Sequence, residues 1–89
     1  LSRNKHMLLL TIAAMLHTDQ NHPITGQVVR QAAGISSPGT IDSTRGSLAQ
    51  DGLIFQWHDR YQIDDPFLEA YLIKQYRLVY DRIVLRLNE

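Results

Sequence analysis

Between Thr25 and Leu53 the chain carries the start and stop signals of two helices with only a few residues between them. Thr25 is the expected N-cap of the first, over about Gly26 to Ala33, with Ile24 and Val29 spaced as a hydrophobic staple. Val29, Ala32 and Ala33 form its apolar side. Gly34 is suited to a left-handed helix end, with Ile35 folding back on the helix. The second opens on Ser37 as N-cap with Pro38 at the first helical position. Ile41, Thr44 and Leu48 give it an inner face, and Gly52 stops it where Leu53 can meet Leu48. The signals agree on a helix of about 14 residues.

The flanks extend this pair. Ahead of it, Leu8, Ile12, Met15 and Leu16 recur at helical spacing. They predict a helix over Ser2–Thr18, capped by Ser2 and ended by the polar turn Asp19, Gln20, Asn21 and Pro23. Behind it, Leu53 to His58 is rich in β-formers. A turn at His58-Asp59-Arg60 and a return strand Tyr61 to Ile63 predict a small hairpin. Asp65 then caps a last helix from Pro66 to about Leu87, roughly 30 Å long. The expected order is helix, helix, helix, hairpin, helix: mostly α with a small β-hairpin. With 89 residues, 44% of them hydrophobic, and no repeat or linker, the chain reads as one domain, 1–89, around one core.

Several chemistries lack their residues. No cysteine is present, so neither a disulfide nor a cysteine-based zinc site is expected, which fits a reducing, cytoplasmic setting. Met7 to Leu16 is too short to cross a bilayer and is interrupted by Thr11, so no membrane partner is expected. His6, His17, His22 and His58 include no i, i+4 pair, and no metal site is expected. Asp64 and Asp65 suit a helix N-terminus better than general acid–base work. Ser36 and Ser37 have no nucleophile-elbow context. Trp57 reads first as a core or edge aromatic of the hairpin, and Tyr61, which starts the return strand, as core. No catalytic residue and no cofactor are expected. Leu1 in place of an initiating Met suggests a fragment.

Two helices joined by a short turn at Gly34, followed by a hairpin, have the order of a winged helix-turn-helix. The run Ile24-Thr25-Gly26-Gln27-Val28-Val29-Arg30-Gln31-Ala32-Ala33-Gly34-Ile35-Ser36-Ser37 is similar to the helix, glycine turn and restart at serine of many such domains. Leu48-Ala49-Gln50-Asp51-Gly52-Leu53-Ile54 resembles their passage into the wing. A narrower resemblance lies in Tyr61-Gln62-Ile63-Asp64-Asp65-Pro66-Phe67-Leu68-Glu69-Ala70-Tyr71-Leu72. It looks like the segment after the wing in archaeal and bacterial AAA-type P-loop ATPases, where a winged-helix domain follows the ATPase domain. The resemblance implies a C-terminal regulatory or DNA-binding module of a larger ATPase. No phosphate-binding loop is present, so no nucleotide site falls on these residues.

Two functions remain open. In a helix-turn-helix the second helix of the pair enters the major groove. Ser37, Thr40 and Ser43 would then donate to phosphates or bases, Gln50 would read adenine, and Arg45, Arg60 and Arg30 would meet phosphates. Against this, Gly34 to Pro66 holds Arg45 and Arg60 against Asp42, Asp51, Asp59, Asp64 and Asp65, and few cations mean weak, salt-sensitive binding to double-stranded DNA. The other reading is a protein-interaction or dimerisation module. Leu72, Tyr76, Val79, Ile83 and Leu87 form one stripe on the last helix, and Tyr71, Leu78 and Leu85 form another. A helix apolar on two sides needs two partners. Tyr80 and Val84 lie between the two, and one stripe can cover Leu9, Ala13 and Leu16 of the first helix. Tyr71, Tyr76, Leu78, Tyr80 and Leu85 would line a surface for a second copy or for the ATPase domain of a parent chain.

Overall fold

Ser2 opens the first helix by accepting a hydrogen bond from the Lys5 amide, and α1 runs Arg3–His17 in a computed structural model that describes residues 1–89. The eight residues from Leu8 to Met15 are all buried. A helix buried on every side must be surrounded, and α1 is packed by each later element except β1. Thr11 is tolerated in this core because its hydroxyl donates to the Met7 carbonyl at 2.7 Å. No helix is long and apolar enough to cross a membrane.

The second helix, α2, spans Gln27–Ala33, and its cap is Gly26 rather than the expected Thr25. The Gly26 amide closes a turn onto the Pro23 carbonyl at 2.9 Å, so Thr25 lies inside that turn and helical geometry begins one residue later. Its carbonyl instead takes the Arg30 Nε at 3.1 Å. Gly34 ends α2 at φ +69°. The Ile35 amide bonds back to Arg30 and the Gly34 amide to Gln31, as a Schellman end requires.

The third helix, α3, spans Pro38–Gln50, with the Ser37 hydroxyl accepting from the Thr40 amide. Gly52 at φ +74° and the Leu53 amide on the Leu48 carbonyl repeat the same ending. Strands β1, Ile54–Trp57, and β2, Arg60–Ile63, pair antiparallel with Ile54 opposite Ile63 and Trp57 opposite Arg60. Arg60, expected in the turn, is therefore the first residue of the return strand. The turn is only His58-Asp59, at φ +51° and +64°. Two residues of positive φ match the right-handed twist of the strands.

The last expected helix is two. Asp65 caps α4, Pro66–Gln75, by accepting from the Phe67 and Leu68 amides. At Tyr76 the backbone leaves the helical region (φ −118°, ψ 43°), and α5 resumes over Arg77–Leu87. The bend lets both pieces lie on α1, and it brings α5 onto α2 as well. A straight helix has one direction and cannot follow the rounded core, so tertiary packing overrides local continuity.

Candidate interaction surfaces

On α3 the residues Ser37, Thr40, Asp42, Ser43 and Gln50 are all exposed, while Ile41, Thr44 and Leu48 are buried. The sequence therefore orients this helix as expected. Its hydroxyls are partly occupied: Ser37 caps the helix, and Ser43 donates to the Thr40 carbonyl at 3.1 Å.

The three arginines expected to meet phosphates are bonded within the molecule. Arg45 Nε bonds to Asp42 at 3.0 Å, one turn away. That hydrogen bond raises the already high pKa of the guanidinium, with a smaller contribution from nearby Tyr61. Arg30 bonds to the carbonyls of Thr25 and Ser36. Arg60 does not stand free at the wing as a phosphate contact. Its guanidinium takes Asp19 at 2.7 Å and the carbonyls of Met15 and Gln20 at 3.1 and 3.0 Å. It satisfies the open end of α1, where the chain turns through Asp19 at φ +52°.

Of the two places expected for Trp57, core or edge, the fold gives it the edge: it is largely exposed, and Phe55 on the same strand face is also exposed. Trp57 meets His58 edge-on, with centroids 4.7 Å apart. Tyr61 faces the other way and is half-buried against the core.

The C-terminal helices carry the larger apolar exposure. Phe67, Tyr71, Leu78 and Leu85 are 85%, 55%, 80% and 67% exposed. Tyr71, Leu78 and Leu85 thus lie outside the core, as their separate stripe suggested. Tyr80 does not join them. It is 7% exposed, part of the core cluster, and burial pushes its phenol above the ordinary tyrosine range. Its place follows from the bend, which turns that side of α5 inward with Ile83 and Leu87. Tyr76 sits at the bend, partly exposed, with its ring 5.3 Å from that of His6. Phe67 was treated in the sequence only as part of the cap segment. Its spacing of four from Tyr71 is the signal that places both on one side of α4.

Ion pairs fasten the periphery. Lys5 joins Asp51 beyond α3 at 2.9 Å, and His17 joins Glu69 of α4 at 3.2 Å. Neither creates an open charged site.

No protein-family model matches this chain, and searches of curated proteins and of solved structures likewise return no match.

Proposed function

We propose that this chain is a winged-helix regulatory module that works by protein contact through α4 and α5. One contrast carries this reading. The three arginines expected to meet phosphates are bonded within the fold, whereas four large apolar side chains on α4 and α5 have no cover. Exposed apolar groups gain from a partner, whereas each of these arginines already answers a carboxylate or carbonyls of its own fold. The resemblance of the Tyr61–Leu72 segment to AAA-type ATPases supplies a regulatory context, in which the ATPase domain of a parent chain is one such partner.

Double-stranded DNA is the second reading, favoured by the outward presentation of Thr40, Ser43 and Gln50 on α3. The two are separated by placing a photo-crosslinking residue at Leu85 or at Thr40 in the chain expressed in cells. Protein adducts are expected from position 85 and no DNA adduct from position 40. DNA adducts from position 40, with duplex binding that weakens in salt and vanishes in Arg45→Glu, would assign the function to α3 instead.

A further inference from the structure

Two exposed apolar patches, one on the hairpin and one on α5, carry charge of opposite sign. On the hairpin, Phe55 and Trp57 are 45% and 61% exposed on one face of β1. Asp59 in the turn and Asp64 directly after β2 are exposed as well, and neither pairs with a cation. The one arginine of the hairpin, Arg60, is turned away to Asp19. This patch is aromatic and acidic.

On α5, at about 100° per residue, Leu78 and Leu85 fall within about 20° of one line, opposite the buried Tyr80, Ile83 and Leu87. Arg82 and Arg86 lie on one flank of the leucines, both exposed. Neither has a carboxylate, and Glu89, the next acid along the chain, pairs with neither. Asp81 lies on the other flank and is answered within the helix by Arg77 at 3.2 Å. This patch is aliphatic and basic.

The hairpin packs chiefly on α1 and α3, and α5 on α1, α2 and α4. Packing on different neighbours keeps a chain from setting its hairpin on its own α5. We infer that a second copy of this chain supplies the cover: the hairpin of one copy docks on α5 of another. Phe55 and Trp57 lie against Leu78 and Leu85, and Asp59 and Asp64 approach Arg82 and Arg86. The inference rests on the reading of α5 as a contact surface, and it names the partner.

The two patches match in scale. Residues seven apart on a helix are separated by about 10 Å, and residues two apart on a strand by about 7 Å, a span that the aromatic rings extend. The exposed indole of Trp57 also offers its face to a guanidinium. Opposite charge around an apolar centre selects the partner and speeds encounter. An acidic peptide or an anionic lipid surface would cover α5 alone and leave the hairpin open, and the hairpin has the wrong sign for such lipid. A second copy closes both patches with one kind of contact. The contact joins unlike surfaces, so copies either pair reciprocally or add in a row. It is small and belongs to the weak, transient class.

Complementation tests this. Leu85→Ser removes the α5 side and Trp57→Ser the hairpin side. Both residues are exposed, so both variants should keep the thermal midpoint of the parent. In sedimentation at millimolar concentration and low salt, the average mass of the parent should rise above that of a monomer. Each variant alone should associate about tenfold more weakly or less. Mixed in equal amounts they should form a heterodimer and stop there, because one keeps its α5 and the other its hairpin. Arg82→Glu/Arg86→Glu should also weaken association, and adding Asp59→Lys/Asp64→Lys to the same chain should restore it.

A parent that stays monomeric under these conditions overturns the inference. So does a mixture that associates no better than its components, or a charge reversal that the second pair of substitutions fails to rescue. Sedimentation of the parent with phosphatidylserine vesicles but not with itself would make α5 a lipid-facing helix instead. If self-association fails while a photo-crosslinking residue at position 85 still joins a different protein, α4 and α5 remain a contact surface with another occupant. If position 85 joins no protein, that surface reading falls as well.

Discussion

Arg60 shows how a side chain's role changes when its surroundings are known. By sequence it is a cation at the tip of a wing. In the fold it bonds to Asp19, Met15 and Gln20 and closes the end of α1. Of its two carbonyl partners, Met15 in the last turn of α1 also accepts from the Gln20 amide, and Gln20 lies in the turn beyond. Arg60→Ala should cost about 1–3 kcal/mol, since it leaves the partly buried Gln20 carbonyl without this donor and removes two further bonds. Urea denaturation would read this as a lower midpoint at unchanged slope. An unchanged midpoint would mean that water replaces the guanidinium freely. Tyr80 changed role for a related reason. Its position between two apolar stripes was visible, but only the direction of α5 decides that it faces inward.

Among the elements, helix ends were the most legible features. Ser2, Ser37 and Asp65 cap the helices that the sequence assigned to them, and Gly34 and Gly52 end α2 and α3 at positive φ. These signals are local: a hydroxyl, a carboxylate or a missing Cβ acts within one turn of backbone. The α2 cap moved by one residue because the Pro23–Gly26 turn competes for Thr25. The hairpin turn shortened because Arg60 pairs with Trp57. It places two non-glycine residues at positive φ, a conformation that costs an L-residue about 1–2 kcal/mol. Asp59→Gly should relieve part of this and raise stability by about 1 kcal/mol. Thermal unfolding would show a higher midpoint, and a lower one would indicate that Asp59 makes a compensating contact.

For the molecule as a whole, the decisive fact is that α1 is the hub. Its residues from Leu8 to Met15 are sealed by the surrounding elements. Two apolar sides of this helix are legible in the sequence, Leu8–Ile12–Met15 and Leu9–Ala13–Leu16, whereas burial extends further around it, through Leu10, Thr11 and Ala14. Leu9→Ala should cost about 2–5 kcal/mol, a large share of the stability of a domain this size. Leu85→Ala should change stability by no more than about 0.5 kcal/mol while weakening partner contact. Parallel denaturation of the two variants checks the contrast. Equal losses would mean that Leu85 is covered within the chain.

The candidate surfaces were partly legible. The outward side of α3 follows from its 3.6-residue period, as does the exposure of Leu78 and Leu85. What the sequence could not show was which cations are already engaged, because the partners of Arg60 lie some 40 residues away in the chain.

The sequence by itself determined where most helices begin and end, which side of α3 faces the core, and that a hairpin follows it. Each depends on interactions within a few residues. Only the tertiary structure decided that α1 is enclosed, that the last helix bends at Tyr76, and that Tyr80 is buried while Leu78 is not. At Tyr76 the local hydrogen bonds favour a straight helix, and the apolar surface of α1 and α2 favours a bent one. The bend exists because burying Tyr80, Ile83 and Leu87 outweighs the helical bonds lost there, a balance set by residues distant in the chain.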